Sequence, residues 1–118
     1  MVHTHVAKGR LGLEPVVLAD IVRRVVAASS PDRIILFGSA ARREMGPDSG
    51  VDLLVVKAGV EHRGRLAGDI YVSLFGLEVP VDVVVVTPED IEQDRHNEWS
   101  IIRPALEEGI EVYAADAS

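Results

Sequence analysis

The sequence predicts a small α/β or α+β domain in which helices pack against one small mixed β-sheet around a single core. Short runs rich in β-branched residues, at 34–37, 51–56 and 79–86, are typical of buried strands. Between them lie segments whose apolar residues recur every three or four positions, as in amphipathic helices. The length of 118 residues fits one domain. We therefore expect a flexible N-terminal segment at 1–13 and a single domain at 14–118.

Local signals set the limits of the predicted helices. Pro15 suits the first position of a helix from Glu14 to Ala28, and Gly76 ends a second helical pattern that starts at Arg63. A third start is predicted at Thr87, a capping residue followed by proline and two acids. The other predicted elements are a short helix from Ser39 through Arg43, a helix within 97–108 that Pro104 either kinks or delays, and an edge strand at 110–113.

Composition and charge narrow the classes of function. The net charge of −7 is uneven, since residues 1–65 carry +3 and residues 66–118 carry −10. An acidic second half disfavours direct binding to nucleic acid and suits a basic protein partner. The sequence has neither an apolar run long enough for a membrane helix nor the apolar core of a signal peptide, and it has no cysteine. We expect a cytoplasmic protein.

Candidate functional residues cluster around the segment LFGSAARREMGPDSGVDLLVV. Gly38 allows a ligand to approach the backbone closely, and a helix that starts at Ser39 would direct amides and a hydroxyl at a phosphate group. Asp52 and Asp82 each stand at the start of an apolar strand. If the two strands are neighbours in register, the carboxylates converge, and a metal ion would offset their desolvation. This equipment is typical of metal-assisted phosphoryl chemistry.

The same residues carry a resemblance to a family. Gly38-Ser39, ten residues and then Gly50-Val51-Asp52 resemble the signature of minimal nucleotidyltransferases (MNT domains) of the DNA polymerase β-like superfamily. That signature is Gly-Ser, ten residues, Asp-x-Asp, and a third aspartate on a following strand. The stretch LAGDIYVSLFGLEVPVDVVVVTPED is similar to the family and puts Asp82 at the third carboxylate. The resemblance covers about residues 14–114.

The resemblance implies a fold, an activity and a partner. The fold is the polymerase β palm-like nucleotidyltransferase fold. The activity is transfer of a nucleoside monophosphate from an NTP, AMP from ATP, with Mg²⁺ or Mn²⁺. Asp52 and Asp82 would be catalytic and bind the metal, while Gly38, Ser39 and Arg42 would bind the nucleotide. Stand-alone members are often antitoxins of HEPN/MNT toxin–antitoxin pairs that modify a HEPN-family partner, so a homo- or hetero-oligomer is compatible with the resemblance.

Position 50 departs from the signature because Gly50 replaces its first aspartate. Two carboxylates are still enough to hold one Mg²⁺, so two alternatives stay open. The chain is either an active transferase or a catalytically impaired binding protein that neutralises a partner by contact alone. Asp48, in the adaptable GPDSG turn, is a candidate substitute ligand as well as an ordinary turn residue, and Gly50 could serve a backbone with positive φ.

Several other residues receive structural interpretations. We expect Trp99 to join Ile102 and Leu106 in the core, and Tyr71 to pack within its helix. Glu44 and Arg43 are weaker candidates for the site. His3 and His5 fall in the expected flexible segment, and His62 and His96 receive no role. A plain structural domain with accidental motif spacing is the remaining alternative.

Overall fold

The structure is a computed structural model that describes residues 13–42, 44, 49–95 and 97–116. Several residues singled out from the sequence therefore lie outside the described ones, namely His3, His5, Arg43, Asp48 and His96, and so does nearly all of the segment 1–13. The described elements are α1 (Pro15–Ser29), β1 (Arg33–Phe37), β2 (Val51–Val56), α2 (Arg63–Ser73), β3 (Val81–Val86), α3 (Pro88–Asp94), α4 (Ile102–Glu108) and β4 (Ile110–Ala114).

The four described strands form one mixed sheet, as predicted. Their order is β3-β2-β1-β4, so β3 and β4 are its edges. The strands β1 and β2 are antiparallel, as are β1 and β4. Only β2 and β3 are parallel among the described pairs, and α2 supplies the crossover that a parallel connection needs. This pairing later decides where the candidate site lies.

Helices cover both faces of the sheet. The first core cluster joins α1 and α2 to one face through residues such as Ile21, Ile70 and Leu53. The second joins the other face to α4 through residues such as Leu54 and Ile102, with α3 packed beside it. Since side chains alternate along a strand, a strand buried on both faces must be apolar throughout. This requirement explains the unbroken apolar run from Leu53 to Val56.

Polar contacts tie α1 to its neighbours. Arg24 donates to Asp20 one turn away at 3.1 Å, and also to the backbone oxygens of Ser73 and Phe75 at 3.1 and 3.2 Å. These two bonds use carbonyl groups that the end of α2 would otherwise leave unpaired. Lys57 caps α1 in the same way, since its Nζ donates to the Ser29 oxygen at 2.8 Å. The first helix is therefore fixed at both α2 and β2.

Three sequence interpretations need correction or refinement. The predicted helix from Ser39 is wrong, because residues 38–42 form turns. Pro104 delays the last helix, which begins at Ile102 and so places proline in its first turn, where a missing N–H costs nothing. Trp99 does not join the core, since it is 94% exposed. Trp99 lies in the turn between α3 and α4. Of the predicted trio, only Ile102 and Leu106 face the core.

Tyr71 has a different role from simple packing. Its ring is 44% exposed, and its hydroxyl accepts a hydrogen bond from the backbone N–H of Val83 at 2.8 Å. Val83 lies on the edge strand β3, where every second backbone group faces outward. Tyr71 therefore closes part of an edge that could otherwise pair with another strand. Within the described residues, no helix is long and apolar enough to cross a membrane.

The predicted start of α3 at Thr87 is confirmed and is stabilised by charge. Thr87 and Asp90 form a reciprocal capping box, in which Asp90 accepts from the Thr87 N–H at 2.9 Å. Arg63 binds the same carboxylate from α2. The Arg63 hydrogen bond, followed by that of the Thr87 backbone, lowers the pKa of Asp90 to about 2. The carboxylate thus stabilises the fold while it is ionised.

We expect Asp90→Ala to lower the free energy of unfolding at neutral pH by about 1 kcal/mol, the usual value of a helix cap. Arg63 is half exposed, so its ion pair adds little. Because the folded pKa is depressed, the stabilisation is lost as the pH falls from about 4 to about 2. Urea unfolding at several pH values measures it, with Glu89→Ala as the matched control. An equal loss at neutral pH and at pH 2 would contradict this assignment.

Candidate functional site: two neighbouring carboxylates at the end of the sheet

Asp52 and Asp82 are direct neighbours in the sheet. They are paired in the parallel register of β2 with β3, and each is the second residue of its strand. Neighbouring strands lie about 4.8 Å apart, so the two carboxyl groups leave the backbone side by side. The condition set from the sequence, that these two strands are neighbours in register, is met. The functional roles of the two residues stay predictions.

The two aspartates lie at the end of the sheet where β2 and β3 begin. By strand alternation they share the face of Leu54 and Val84, which belongs to the second core cluster. On the other side, Asp52 is paired with Phe37, the last residue of β1. The site therefore lies where β1 ends and where β2 and β3 begin. The chain leaving β1 runs directly beside it.

Burial and mutual repulsion act on the Asp52 carboxylate. Burial is the main cause that raises its pKa above the ordinary value, and the nearby Asp82 raises it further, while Arg42 opposes both. Within the described part of the chain, neither carboxylate has a hydrogen bond or an ion pair. Asp52 is half-buried and Asp82 is exposed, and a partly buried charge without a partner disfavours the folded state. Such an arrangement favours a cation as the missing partner.

Gly38 brings the backbone against this carboxylate. Its φ of +76° lies in the left-handed region, which glycine adopts without strain. A Cβ atom placed at Gly38 would collide with Oδ2 of Asp52. Two independent requirements thus select glycine here, while the close approach of a ligand at this position stays a prediction. What the backbone approaches in the free chain is the carboxylate itself.

A turn, not the predicted helix, follows Gly38, and backbone hydrogen bonds close it. The Gly38 oxygen accepts from the Arg42 N–H at 3.2 Å, and the Ser39 oxygen accepts from the Glu44 N–H at 2.8 Å. In the described residues, the Ser39 hydroxyl has no hydrogen-bond partner, so it does not cap a helix. Ser39 is half-buried beside Gly38. It can therefore donate to an anion at this end of the sheet.

Arg42 lies near the site but is held by acidic side chains. Its Nε donates to Glu44 at 2.9 Å, and its guanidinium is 3.8 Å from Glu108 at the end of α4. The hydrogen bond that Arg42 donates to Glu44 is the main cause that raises the pKa of Arg42, and Asp52 contributes by charge. Glu108 could not be identified from the sequence, because no local pattern predicts its contact with Arg42, which is far away in the chain.

Gly50 has no side chain, and its backbone conformation does not require a glycine. Among the described glycines, those with positive φ are Gly38, Gly59 and Gly76, so the interpretation of Gly50 as a positive-φ residue is wrong. A Cβ atom there would lie 3.1 Å from the backbone oxygen of Pro80. That contact is tight, yet a small shift would relieve it. Whether Asp48 supplies a substitute carboxylate falls outside the described residues.

The described residues contain no group of three or more His, Cys, Asp or Glu side chains that could hold a metal ion. The site is therefore a pair of carboxylates. Mg²⁺ takes oxygen ligands and often uses only one or two protein carboxylates, with water and phosphate oxygens as its other ligands. The donor set of Asp52 and Asp82 fits such an ion when a ligand brings further oxygens. It does not form an all-protein metal cage.

This fold and the position of its site agree with what the sequence matches. A family model described as a nucleotidyltransferase domain matches residues 18–112. The chain therefore belongs to the nucleotidyltransferase domain family. The match includes β1, β2 and β3 with both aspartates. It thus covers the whole site described above.

Solved structures agree on the fold. One similar structure is a putative nucleotidyltransferase from Sulfolobus solfataricus, with 17% identity and a TM-score of 0.53, covering 92% of this chain and 96% of that one. Another is a toxin–antitoxin structure with AMP-PNP, with 19% identity and a TM-score of 0.58, covering 83% of this chain and 73% of that one. At such identities the likeness extends to the fold alone. No curated protein matches the sequence.

The ionised carboxylate of Asp52 should lower the melting temperature of the protein. We expect Asp52→Asn to raise the melting temperature at neutral pH, because it removes a partly buried negative charge beside Asp82. A raised folded pKa means that ionised Asp52 opposes folding, and this opposition disappears as the pH falls below that pKa. The gain should therefore shrink in acid. Calorimetry at pH 7 and pH 4 tests it, with Asp116→Asn as the exposed control, and a lower melting temperature at pH 7 would refute it.

Proposed function

We propose that this protein binds a nucleoside triphosphate with Mg²⁺ or Mn²⁺ at Asp52 and Asp82, and transfers a nucleoside monophosphate to a partner protein. The favoured reaction is transfer of AMP from ATP, with the chain as the antitoxin of a HEPN/MNT toxin–antitoxin pair. The observation that carries the proposal is the pair of neighbouring carboxylates without protein partners. Such a pair opposes folding and is accounted for by a bound cation.

The chain's own groups divide the binding of the nucleotide between them. Asp52 and Asp82 would hold the metal ion, whose charge would neutralise the phosphate oxygens and the leaving group. Gly38 keeps the turn close to Asp52, so a phosphate group bound to the metal ion would also reach the turn. The Ser39 hydroxyl would donate to a phosphate oxygen. The proposed task of these residues is to position the triphosphate, because positioning and charge neutralisation dominate phosphoryl transfer.

Arg42 would support the phosphates by charge. Its guanidinium already acts on Asp52, and its side chain is about half exposed. To bind a phosphate oxygen directly, it would leave Glu44 or Glu108. Exposed ion pairs of this kind contribute about 0–1 kcal/mol, so a triphosphate would displace them easily. Glu44 and Glu108 would then keep Arg42 near the site until the nucleotide binds.

Support for a protein acceptor comes from a structural neighbour and from the chain's charge. One structural neighbour is a toxin–antitoxin structure with AMP-PNP. The acidic second half of the chain suits a basic protein surface and disfavours nucleic acid. A cytoplasmic HEPN-family protein is the proposed partner.

A second candidate function is favoured by position 50. In this alternative the chain neutralises its partner by contact alone and has little or no transferase activity. The observation behind it is that Gly50 supplies no carboxylate and that a Cβ atom there would crowd the Pro80 oxygen. Loss of one electrostatic element of a transition-state clamp costs on the order of 10²–10³ in rate. Binding of the nucleotide would survive that loss better than its turnover.

We expect wild type to transfer label from α-labelled ATP to its co-purifying partner with Mg²⁺ or Mn²⁺. Transfer by Asp52→Ala should be at least about 10²-fold slower. Asp116→Ala should keep full activity. Gly50→Asp should raise the rate, whereas the isosteric Gly50→Asn should not. The rise is expected only if the Pro80 oxygen yields by a few tenths of an ångström.

The outcomes separate the two candidates. Activity in wild type that is lost in Asp52→Ala supports the transferase. If wild type transfers no label but Gly50→Asp does, the result supports the second candidate, a chain that descends from an enzyme and neutralises its partner by contact alone. If no variant transfers any of the four nucleotides with either metal, the transferase proposal fails. Binding of the partner by Asp52→Ala would then identify contact as the whole function.

A further inference from the structure

The outward face of α2 carries large apolar side chains that nothing in the described chain covers. Val72 is 76% exposed and Phe75, just beyond the helix, is 87% exposed. The opposite face of the same helix buries Ile70 and Leu74 completely or nearly so. Isolated exposed apolar residues are ordinary, whereas neighbouring ones on one face form a patch that suits an interaction surface. We call Gly64, Arg65, Gly68, Asp69, Val72 and Phe75 the α2 outer face.

The N-terminal half of this face is flat. Gly64, Gly68 and Val72 follow one another at intervals of four residues, so all three share one side of the helix. A Cβ atom at either glycine would meet nothing within 4 Å. The chain's own packing therefore gives no reason for them, although each glycine in a helix interior costs about 1 kcal/mol relative to alanine. The face thus has one flat half and one bulky half.

We propose that the α2 outer face binds the same face of a second copy of this chain, with the two helices antiparallel about a two-fold axis. Antiparallel pairing brings the flat half of each helix against the bulky half of the other. The Gly68 residues of the two copies then face each other at the axis, and Val72 of one copy lies over Gly64 of the other. A two-fold interface must be self-complementary, and this face meets that requirement along its length.

Charge complementarity supports the same occupant. Arg65 and Asp69 are exposed on one flank of the face, and within the described residues neither takes part in an ion pair. The two-fold axis places the Arg65 of each copy near the Asp69 of the other. The face therefore carries balanced charge although the whole chain carries −7. Two acidic molecules can meet here without local repulsion.

The surroundings favour contact through the helix rather than through the sheet. The nearest edge strand is β3, and the Tyr71 hydroxyl already occupies its Val83 N–H at 2.8 Å. A second sheet would have to displace that bond. Arg24 fixes the C-terminal end of α2 through the oxygens of Ser73 and Phe75. The bulky half of the face is thus held in place before association, which reduces the entropy lost on binding.

The expected dimer is weak. The helix α2 has 11 residues and is therefore about 16 Å long. A contact of that length buries less than the roughly 1,200 Å² of a standard stable interface. A dissociation constant in the micromolar range is expected. Association at this face is independent of the nucleotide site and of the proposed function.

The test is sedimentation velocity of the full chain without nucleotide, over about 10 to 500 μM, a range that spans the expected affinity. Wild type should pass from monomer to dimer. Val72→Gln should weaken the dimer at least tenfold, whereas Val16→Gln should leave it unchanged. The two changes are matched, since Val16 is also an exposed helical valine, at 66%, but lies on α1.

Two further variants exclude a general loss of folding. Gly68→Gln should raise the melting temperature of the monomer, because glutamine is the better helix former, and yet weaken the dimer at least tenfold. Asp69→Arg should weaken association, and the added change Arg65→Asp should restore it. The proposal is overturned if wild type stays monomeric throughout the range, or if Val16→Gln weakens the dimer as much as Val72→Gln does. A dimer that tolerates both Val72→Gln and Gly68→Gln also overturns it.

Discussion

The parallel pairing of β2 with β3 is the constraint on which the rest of the structure depends. It sets Asp52 beside Asp82 at one end of the sheet and requires a crossover, which α2 supplies. The apolar residues that follow both aspartates are buried on both faces. A slip of one residue in either strand would exchange the two faces and turn one aspartate toward α1 and α2. The core therefore holds the two carboxylates together against their repulsion.

That repulsion connects stability with function. Burial and Asp82 raise the pKa of Asp52, and among the described residues the charge that opposes this rise, on Arg42, is shared with Glu44 and Glu108. A fold selected for stability alone would place a neutral residue at one of the two positions. Gly38 adds to the same conclusion, because it places the backbone against Asp52 where a side chain would collide. The end of the sheet is thus arranged for a charged ligand, at a cost in stability.

The elements with strong local signals were predictable from the sequence. Apolar strands show themselves as β-branched runs, and Thr87 with Asp90 announces a helix start by its capping chemistry alone. Whether Asp52 and Asp82 are neighbours depends on the strand order. Strand order arises from packing between distant segments, so the sequence allowed this only to be stated as a condition. The turn at 38–42 could not be told from a helix, because Ser39 favours both. Trp99 was misassigned because its apolar spacing to Ile102 resembles a buried face, while the turn that carries it points outward.

The most direct test of the central claim is a titration of the isotopically labelled full chain with Mn²⁺, followed by NMR. Paramagnetic Mn²⁺ broadens the backbone signals nearest to it. Our account predicts that the signals of Gly38, Asp52 and Asp82 broaden first, that added ATP strengthens the effect, and that Asp82→Asn removes it. Broadening that begins at another acidic region, or that is unchanged in Asp82→Asn, would contradict the assignment of these two carboxylates as the metal site.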